Sequence, residues 1–211
     1  MNHIFQPILR RFVLVFFDDI LIYSHTWTDH LQHLRQVFEL LLHHQLFLKL
    51  SKCEIAASQV EYPGHIISSN KVAMDARKVA SMLDWLVPRN IKELRGFIGL
   101  TGYYKRFIKG YGILAKPLTD LLKKGSFTWT KKAQSAFETL KQTIVVASVL
   151  ALPNFDALFV VKSDASNEGI GVVLTQGGRP LAYFSKALAP KYQLLSIYEK
   201  EMMAILAAVK K

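Results

Sequence analysis

Apolar and polar positions fall in blocks along this chain, and the blocks predict its elements. Residues 12–23 read FVLVFFDDILIY: an apolar run, the adjacent carboxylates Asp18 and Asp19, then a second apolar run. Both runs are rich in β-branched and aromatic residues, so each predicts a buried strand. Adjacent aspartates favour a turn. Together they predict a β-hairpin with two carboxylates at its tip. Over Asp29–Leu48 the positions Leu31, Leu34, Val37, Phe38, Leu41 and Leu42 recur at gaps of three and four, which predicts an amphipathic helix. Ser24, Thr26, Thr28 and Asp29 supply turn and capping chemistry ahead of it. Leu46–Leu50 predicts a short strand, Ser51–Glu54 a polar turn, and Val60–Ser68 a Pro-Gly break followed by another short strand.

A helix is predicted over Asp75–Trp85, stopped by Pro88. Asn90 with Glu93 three positions on marks a further helix start. The following run, LRGFIGLTGYYKRFIKGYG, is mostly helical in pattern but carries Gly96, Gly99 and Gly102. Each interior glycine costs about 1 kcal/mol of helix stability relative to alanine. One face is therefore small at successive turns. A small face admits another backbone, either that of a neighbouring helix or the sugar-phosphate surface of a duplex. Gln134–Val146 predicts another amphipathic helix, and Leu150–Phe155 a linker. The strands FVVKSDAS, GIGVVLTQ and RPLAYFSK, the last two joined at Gly177-Gly178, predict an antiparallel meander. Gln193–Lys211 predicts a helix with Leu194, Ile197, Met202, Ile205, Leu206 and Val209 among its apolar positions.

At 211 residues and 51% hydrophobic, the chain has room for one large or two small domains with real cores. No apolar run approaches the roughly 20 residues of a membrane span. The N-terminal MNHIFQPILRR lacks the pattern of a secretion signal. A lone cysteine, Cys53, excludes an intrachain disulfide, suits a reducing, intracellular compartment and reads as a small core filler. His30 and His33 are spaced to bind zinc, but Cys53 is the only further ligand in view, so a solvated helix face is the better expectation.

The net charge of +11 is unevenly spread. Residues 1–70 carry 5 Lys/Arg against 6 Asp/Glu, residues 71–150 carry 15 against 5, and residues 151–211 carry 7 against 5. A basic block of that kind predicts a polyanionic partner. Within it, Tyr103, Tyr104, Lys105, Arg106 and Lys109 set aromatics beside cations, which suits base stacking and phosphate contact. With Gly96 they form the candidate nucleic-acid-binding set. Asp18 and Asp19 have two readings. They are a simple turn between core strands, or a pair whose burial would demand a hard cation, Mg²⁺ or Mn²⁺.

The flanks of that pair, Phe16-Phe17-Asp18-Asp19, resemble the polymerase box of reverse transcriptases, with Phe16 where many retroviral members have Tyr. The order of hairpin carboxylates, helix, Lys52-Cys53-Glu54 and then Pro63–Ser68 (PGHIIS) resembles the end of the palm of gypsy-type LTR-retrotransposon enzymes. Leucine is usual where this chain has Pro63, and proline's missing N–H is expected to weaken strand pairing there. Residues 94–112 resemble the thumb helix of that family, and residues 115–141 its connecting segment. Asp164 on a strand and a glutamate on the last helix resemble the start of the RNase H fold, where carboxylates converge on two metal ions. Glu201-Met202-Met203-Ala204-Ile205 fits the family pattern, and Glu199, on a different helix face, is the alternative.

The resemblance implies an α+β or α/β chain. Its parts would be a distal palm over 1–70, a mostly helical thumb and connection over 71–155, and a truncated RNase H-like domain over 156–211. It implies RNA-directed DNA synthesis at Asp18 and Asp19, and cleavage of RNA in RNA–DNA hybrids at Asp164 and Glu201, both with Mg²⁺ or Mn²⁺. The implied partners are an RNA template, a DNA primer, the hybrid, dNTP, and the remaining palm, fingers, RNase H and integrase parts of a polyprotein, with no membrane. The family's polymerase site takes a third carboxylate from an upstream strand, and its RNase H site takes further aspartates downstream. Neither lies in this chain, so the isolated chain is expected to have neither activity in robust form. One alternative is a non-catalytic relic that binds nucleic acid through its basic middle. An unrelated α/β hydrolase would leave the charge block and the order of motifs unexplained.

Overall fold

The FVLVFFDDILIY stretch folds as the expected hairpin in a computed structural model that describes residues 1–69 and 71–211. Strand β1 (Val13–Phe16) pairs antiparallel with β2 (Asp19–Ile22), from Val13 opposite Ile22 to Phe16 opposite Asp19. Helix α1 (Trp27–His43) starts at Thr26, whose hydroxyl accepts a hydrogen bond from the Asp29 N–H at 3.1 Å. Its Val37 and Leu41 close over Phe5, Ile8, Phe12 and Val13. His30 and His33 are not a solvated face. Both are half-buried, and their Nδ1 atoms share the Ser24 hydroxyl at 3.2 and 2.7 Å. Phe12 stacks flat on His33 with ring centroids 3.8 Å apart. They tie α1 to the residue just before β1 and to the chain leaving β2.

The strand expected over Leu46–Leu50 does not form. Irregular chain leads instead to a single 3₁₀ turn, Leu50–Lys52, with Phe47 exposed. A strand needs a neighbouring strand to pair with, and among the described residues none pairs with this apolar run. Strand β3 (Gln59–Tyr62) follows, then β4 (His65–Ser68). Pro63 stands in the turn between them, outside either strand, where a missing N–H costs little. The described chain forms two compact units, residues 1–63 and 64–211.

In the second unit β4 pairs antiparallel with β5 (Lys71–Met74), and β5 with β6 (Leu150–Ala151). The segment expected as a linker therefore begins as a strand, with Leu150 fully buried opposite Val72. Helix α2 (Ala76–Leu83) is capped by Asp75. Helix α3 (Ile91–Tyr103) is capped by Asn90, whose Oδ1 accepts from the Glu93 N–H at 2.9 Å. The short helices α4 (Tyr111–Leu114) and α5 (Lys116–Asp120) precede α6 (Lys131–Val145). Leu94, Phe97, Tyr104, Phe107, Leu118, Phe137, Leu140 and Ile144 form the core between them. Each such side chain gains about 1.5–3 kcal/mol on full burial.

The meander follows as expected: β7 (Val160–Ala165), β8 (Gly169–Gln176) and β9 (Arg179–Ala187), in the order β7-β8-β9. A turn, α7 (Pro190–Gln193), leads to α8 (Ile197–Val209), which packs on β7 and β8. The apolar positions noted in its sequence are not its packed face. Lys200 and Ala204 are buried, while Ile197, Met202, Ile205, Leu206 and Val209 are exposed. Small residues let the helix backbone lie close to the sheet, and the larger apolar side chains turn outward. No helix of the described residues is long and apolar enough to cross a membrane.

Backbone contact joins the helical segment to the meander. The Gly112 N–H donates to the Ser185 hydroxyl at 2.8 Å. A Cβ at Gly112 would lie 2.5 Å from the Ser185 carbonyl oxygen, and one at Gly169 would lie 2.7 Å from that of Lys186. Gly112→Ala is therefore expected to cost about 1–3 kcal/mol in urea unfolding. Gly171→Ala, with nothing within 4 Å of its added Cβ, is expected to stay within about 0.5 kcal/mol of the parent.

Candidate functional site

Asp18 and Asp19 stand at the hairpin tip because Phe16 pairs with Asp19, leaving Phe17 and Asp18 as a two-residue turn. Such a turn takes a left-handed residue at its first position, which favours glycine. Phe17 occupies it at φ 51°. An aromatic side chain there carries strain on the order of 1 kcal/mol or more. Phe17 is 79% exposed, and its ring meets Phe16 edge-on at 4.8 Å. Both carboxylates are exposed as well. Desolvation therefore does not force a cation on them, contrary to the expectation from two buried strands. Their chemistry nonetheless fits one. Exposed hard oxygens in pairs suit Mg²⁺, which is commonly held by one or two carboxylates plus phosphate oxygens.

Asp164 lies on β7 opposite Gly171, and Glu201 lies on α8, the helix packed on β7. Both side chains are exposed. Glu199 is engaged elsewhere. Its carboxylate accepts from the Ser196 N–H and from the Ser196 hydroxyl, each at 2.8 Å, and its own N–H donates back to that hydroxyl. Those hydrogen bonds, the backbone one foremost, hold the Glu199 carboxyl below the ordinary glutamate value. It is the N3 partner of Ser196, the N-cap, in the capping box that starts α8. Among the described residues no group of three or more His, Cys, Asp or Glu is placed to hold a metal ion.

The glycine-rich face of α3 divides. A Cβ at Gly96 would sit 3.1 Å from the Trp85 ring, and one at Gly102 3.3 Å from the Tyr111 hydroxyl. These two glycines make room for internal neighbours. Gly99 has nothing within 4 Å. It shares a helical face with Lys92, Gly96 and Tyr103, all of them exposed. That phase was the available signal for adding Gly99 and Lys92 to the candidate set.

Tyr104 leaves the set. It is 1% exposed, and its hydroxyl donates to the Gly64 carbonyl at 2.7 Å. Gly64 has φ +72°, and a Cβ there would meet that hydroxyl at 2.7 Å. His65 packs among Tyr103, Tyr104 and Phe107. The Gly-His and Tyr-Tyr motifs, far apart in sequence, are one structural contact. Tyr103 is 48% exposed, and Lys105, Arg106 and Lys109 are exposed. The Arg106 guanidinium lies 5.3 Å over the Phe107 ring, where loss of water lowers its pKa and the nearby Tyr103 opposes the shift.

Residues 1–67 match the family model for reverse transcriptase (RNA-dependent DNA polymerase), and residues 129–211 that for the RNase H-like domain found in reverse transcriptase. The chain is 40% identical to a retrovirus-related Pol polyprotein from transposon 297 of Drosophila melanogaster, over 100% of this chain and 20% of that protein. It thus spans about a fifth of the length of that relative. An uncharacterized mitochondrial protein of Arabidopsis thaliana is 44% identical over 134 residues, 63% of this chain and 85% of that protein. In fold, the chain is similar to a foamy viral protease-reverse transcriptase solved in complex with an RNA/DNA hybrid. The TM-score is 0.85 at 22% identity, over 99% of this chain and 29% of that one. The chain belongs to the reverse transcriptase and RNase H region of gypsy-type LTR-retrotransposon Pol polyproteins. Both enzyme families use divalent metals.

Tyr104→Phe removes one buried hydrogen bond and is expected to cost about 1 kcal/mol of stability, with affinity for an RNA–DNA hybrid unchanged in fluorescence anisotropy. The Glu199 cap has a second signature. Because its folded pKa is lowered, its contribution is present above the unfolded value and lost as pH falls through the folded one. Glu199→Gln should remove that acid-side dependence from the melting of the chain followed by circular dichroism.

Proposed function

We propose that this chain carries part of the polymerase site and part of the ribonuclease H site of an RNA-directed DNA polymerase, and that it grips nucleic acid through the exposed face of α3 and the basic turn that follows it. Asp18 and Asp19 would hold Mg²⁺ or Mn²⁺ as dNTP is added to a DNA primer on an RNA template. Asp164 and Glu201 would hold the same ions for cleavage of RNA in a hybrid. When bound, such ions stabilise charge on phosphoryl oxygens. The chain's own part is positioning. The strained turn at Phe17 holds two carboxylates out from the hairpin tip. Gly99 leaves space for a sugar-phosphate backbone. Tyr103 offers a half-exposed ring, and Lys105, Arg106 and Lys109 offer phosphate contacts. On this reading residues 1–70 act as distal palm, 71–155 as thumb and connection, and 156–211 as the proximal RNase H part. The other polyprotein segments are partners.

The observation that carries this reading is the phenylalanine at φ 51° beside two adjacent carboxylates. Strain of this kind is retained where a site requires it. A second reading, binding without turnover, is favoured because no group of three or more His, Cys, Asp or Glu among the described residues is placed to hold a metal ion.

Salt-sensitive binding of an RNA–DNA hybrid is expected in fluorescence anisotropy. Lys105→Ala and Lys109→Ala should each lower the slope of log affinity against log salt by about 1. Gly99→Ala should weaken binding while stabilising the helix by up to about 1 kcal/mol. Binding insensitive to salt and to these changes would sink the nucleic-acid assignment. In Mg²⁺ the 211-residue chain alone is expected to give no robust primer extension or hybrid cleavage. Turnover abolished by Asp19→Ala or Asp164→Ala would decide for working sites over binding alone.

A further inference from the structure

We infer that Lys200 is a positioning residue for the carboxylate pair Asp164 and Glu201: its buried ammonium ties the turn of α8 that bears Glu201 to the loop that follows Asp164. The inference rests on the proposed reading of that pair as a metal-holding site.

Lys200 is 3% exposed, although lysine is almost never buried without a partner. Its Nζ donates to the Asn167 Oδ1 at 2.7 Å and to the Gln193 carbonyl oxygen at 2.8 Å. Both acceptors are neutral, and Lys200 forms no ion pair among the described residues. A cation buried against neutral acceptors is a poor way to stabilise a helix–sheet seam that an apolar side chain would fill. What it supplies is direction, because three elements must keep their places for two hydrogen bonds to hold one ammonium.

Those elements bracket the pair. Asn167 lies three residues after Asp164, in the turn between β7 and β8. That turn is itself fixed. The Ser166 hydroxyl accepts from the N–H groups of Glu168 and Gly169, and the Leu188 N–H donates to the Glu168 carbonyl. Gln193 ends α7, just before the Ser196–Glu199 capping box that starts α8. Successive helix residues are about 100° apart. With Lys200 and Ala204 turned to the sheet, the rotation of α8 about its own axis is set. Glu201 is then held at the rim of the buried stripe. The rest of the seam is apolar, with Met203 and Ala207 beside Ala204, and apolar contact is non-directional. The tether is the directional contact.

The test uses the isotopically labelled whole chain and nuclear magnetic resonance, titrating Mg²⁺ and following the amides of Asp164, Ala165 and Glu201. Folding is monitored in the same spectra. Lys200→Met keeps the apolar stem and removes the ammonium. Asn167→Ala keeps the lysine and removes one acceptor. Each is expected to weaken Mg²⁺ binding at those amides by about tenfold, the scale of outer-shell ligand support, with Lys200→Arg restoring part of it. If Lys200→Met does not fold, Asn167→Ala decides. Folded variants that bind within about twofold of the parent overturn the positioning role, even where stability falls, provided that Asp164→Ala and Glu201→Ala abolish the response. If those two substitutions leave the response unchanged, the pair is not a metal site, and both the underlying reading and this inference fail together.

Discussion

The larger unit depends on two Cβ atoms that are absent. At Gly112 the helical segment meets the Ser185 carbonyl of the meander backbone, and at Gly169 the meander takes in the Ile113 side chain, each closer than an added Cβ would allow. Close-packed interiors have no slack to absorb an extra carbon against a carbonyl oxygen. Gly64 repeats the device on a smaller scale, where the Tyr104 hydroxyl closes onto its carbonyl. The basic helices and the RNase H-like strands therefore form one compact body, although their compositions differ as sharply as those of separate domains.

The two carboxylate pairs are presented by different physics. At the hairpin, register does the work. Phe16 opposite Asp19 leaves only two residues for the turn, and Phe17 takes a left-handed backbone as a result. On α8, neighbouring residues divide the work. Glu199 closes the capping box, Lys200 points inward to Asn167 and Gln193, and Glu201 stays exposed. A helix makes such division possible because residues one and two apart face different directions.

Much of the fold was legible in the chain. The carboxylate hairpin, the Asn90–Glu93 cap, the helix over α6 and the three-stranded meander all follow from patterns local to a few residues. The short strands β5 and β6 were not legible, since two to four residues become a strand only when a partner pairs with them. Leu46–Leu50 failed in the opposite sense, being apolar and β-prone without a partner. At the candidate sites the residue types were legible and their employment was not. Tyr104 and Tyr103 are identical neighbours in sequence, yet one is core and the other half-exposed. Gly96, Gly99 and Gly102 read alike, and only Gly99 opens on free space.

Residue identity and local spacing are enough to specify the elements with strong periodicity, the concentration of positive charge in the middle third, and the order of motifs that marks the family. These depend on residue identity and on spacing along one chain. Packing in three dimensions sets which glycines serve internal neighbours, which tyrosine anchors Gly64, that the carboxylates of the hairpin stand in water, and that a lysine points inward on α8. Each of those outcomes depends on atoms many positions away. Burial and hydrogen bonding are properties of neighbours in space, and a linear pattern does not contain them.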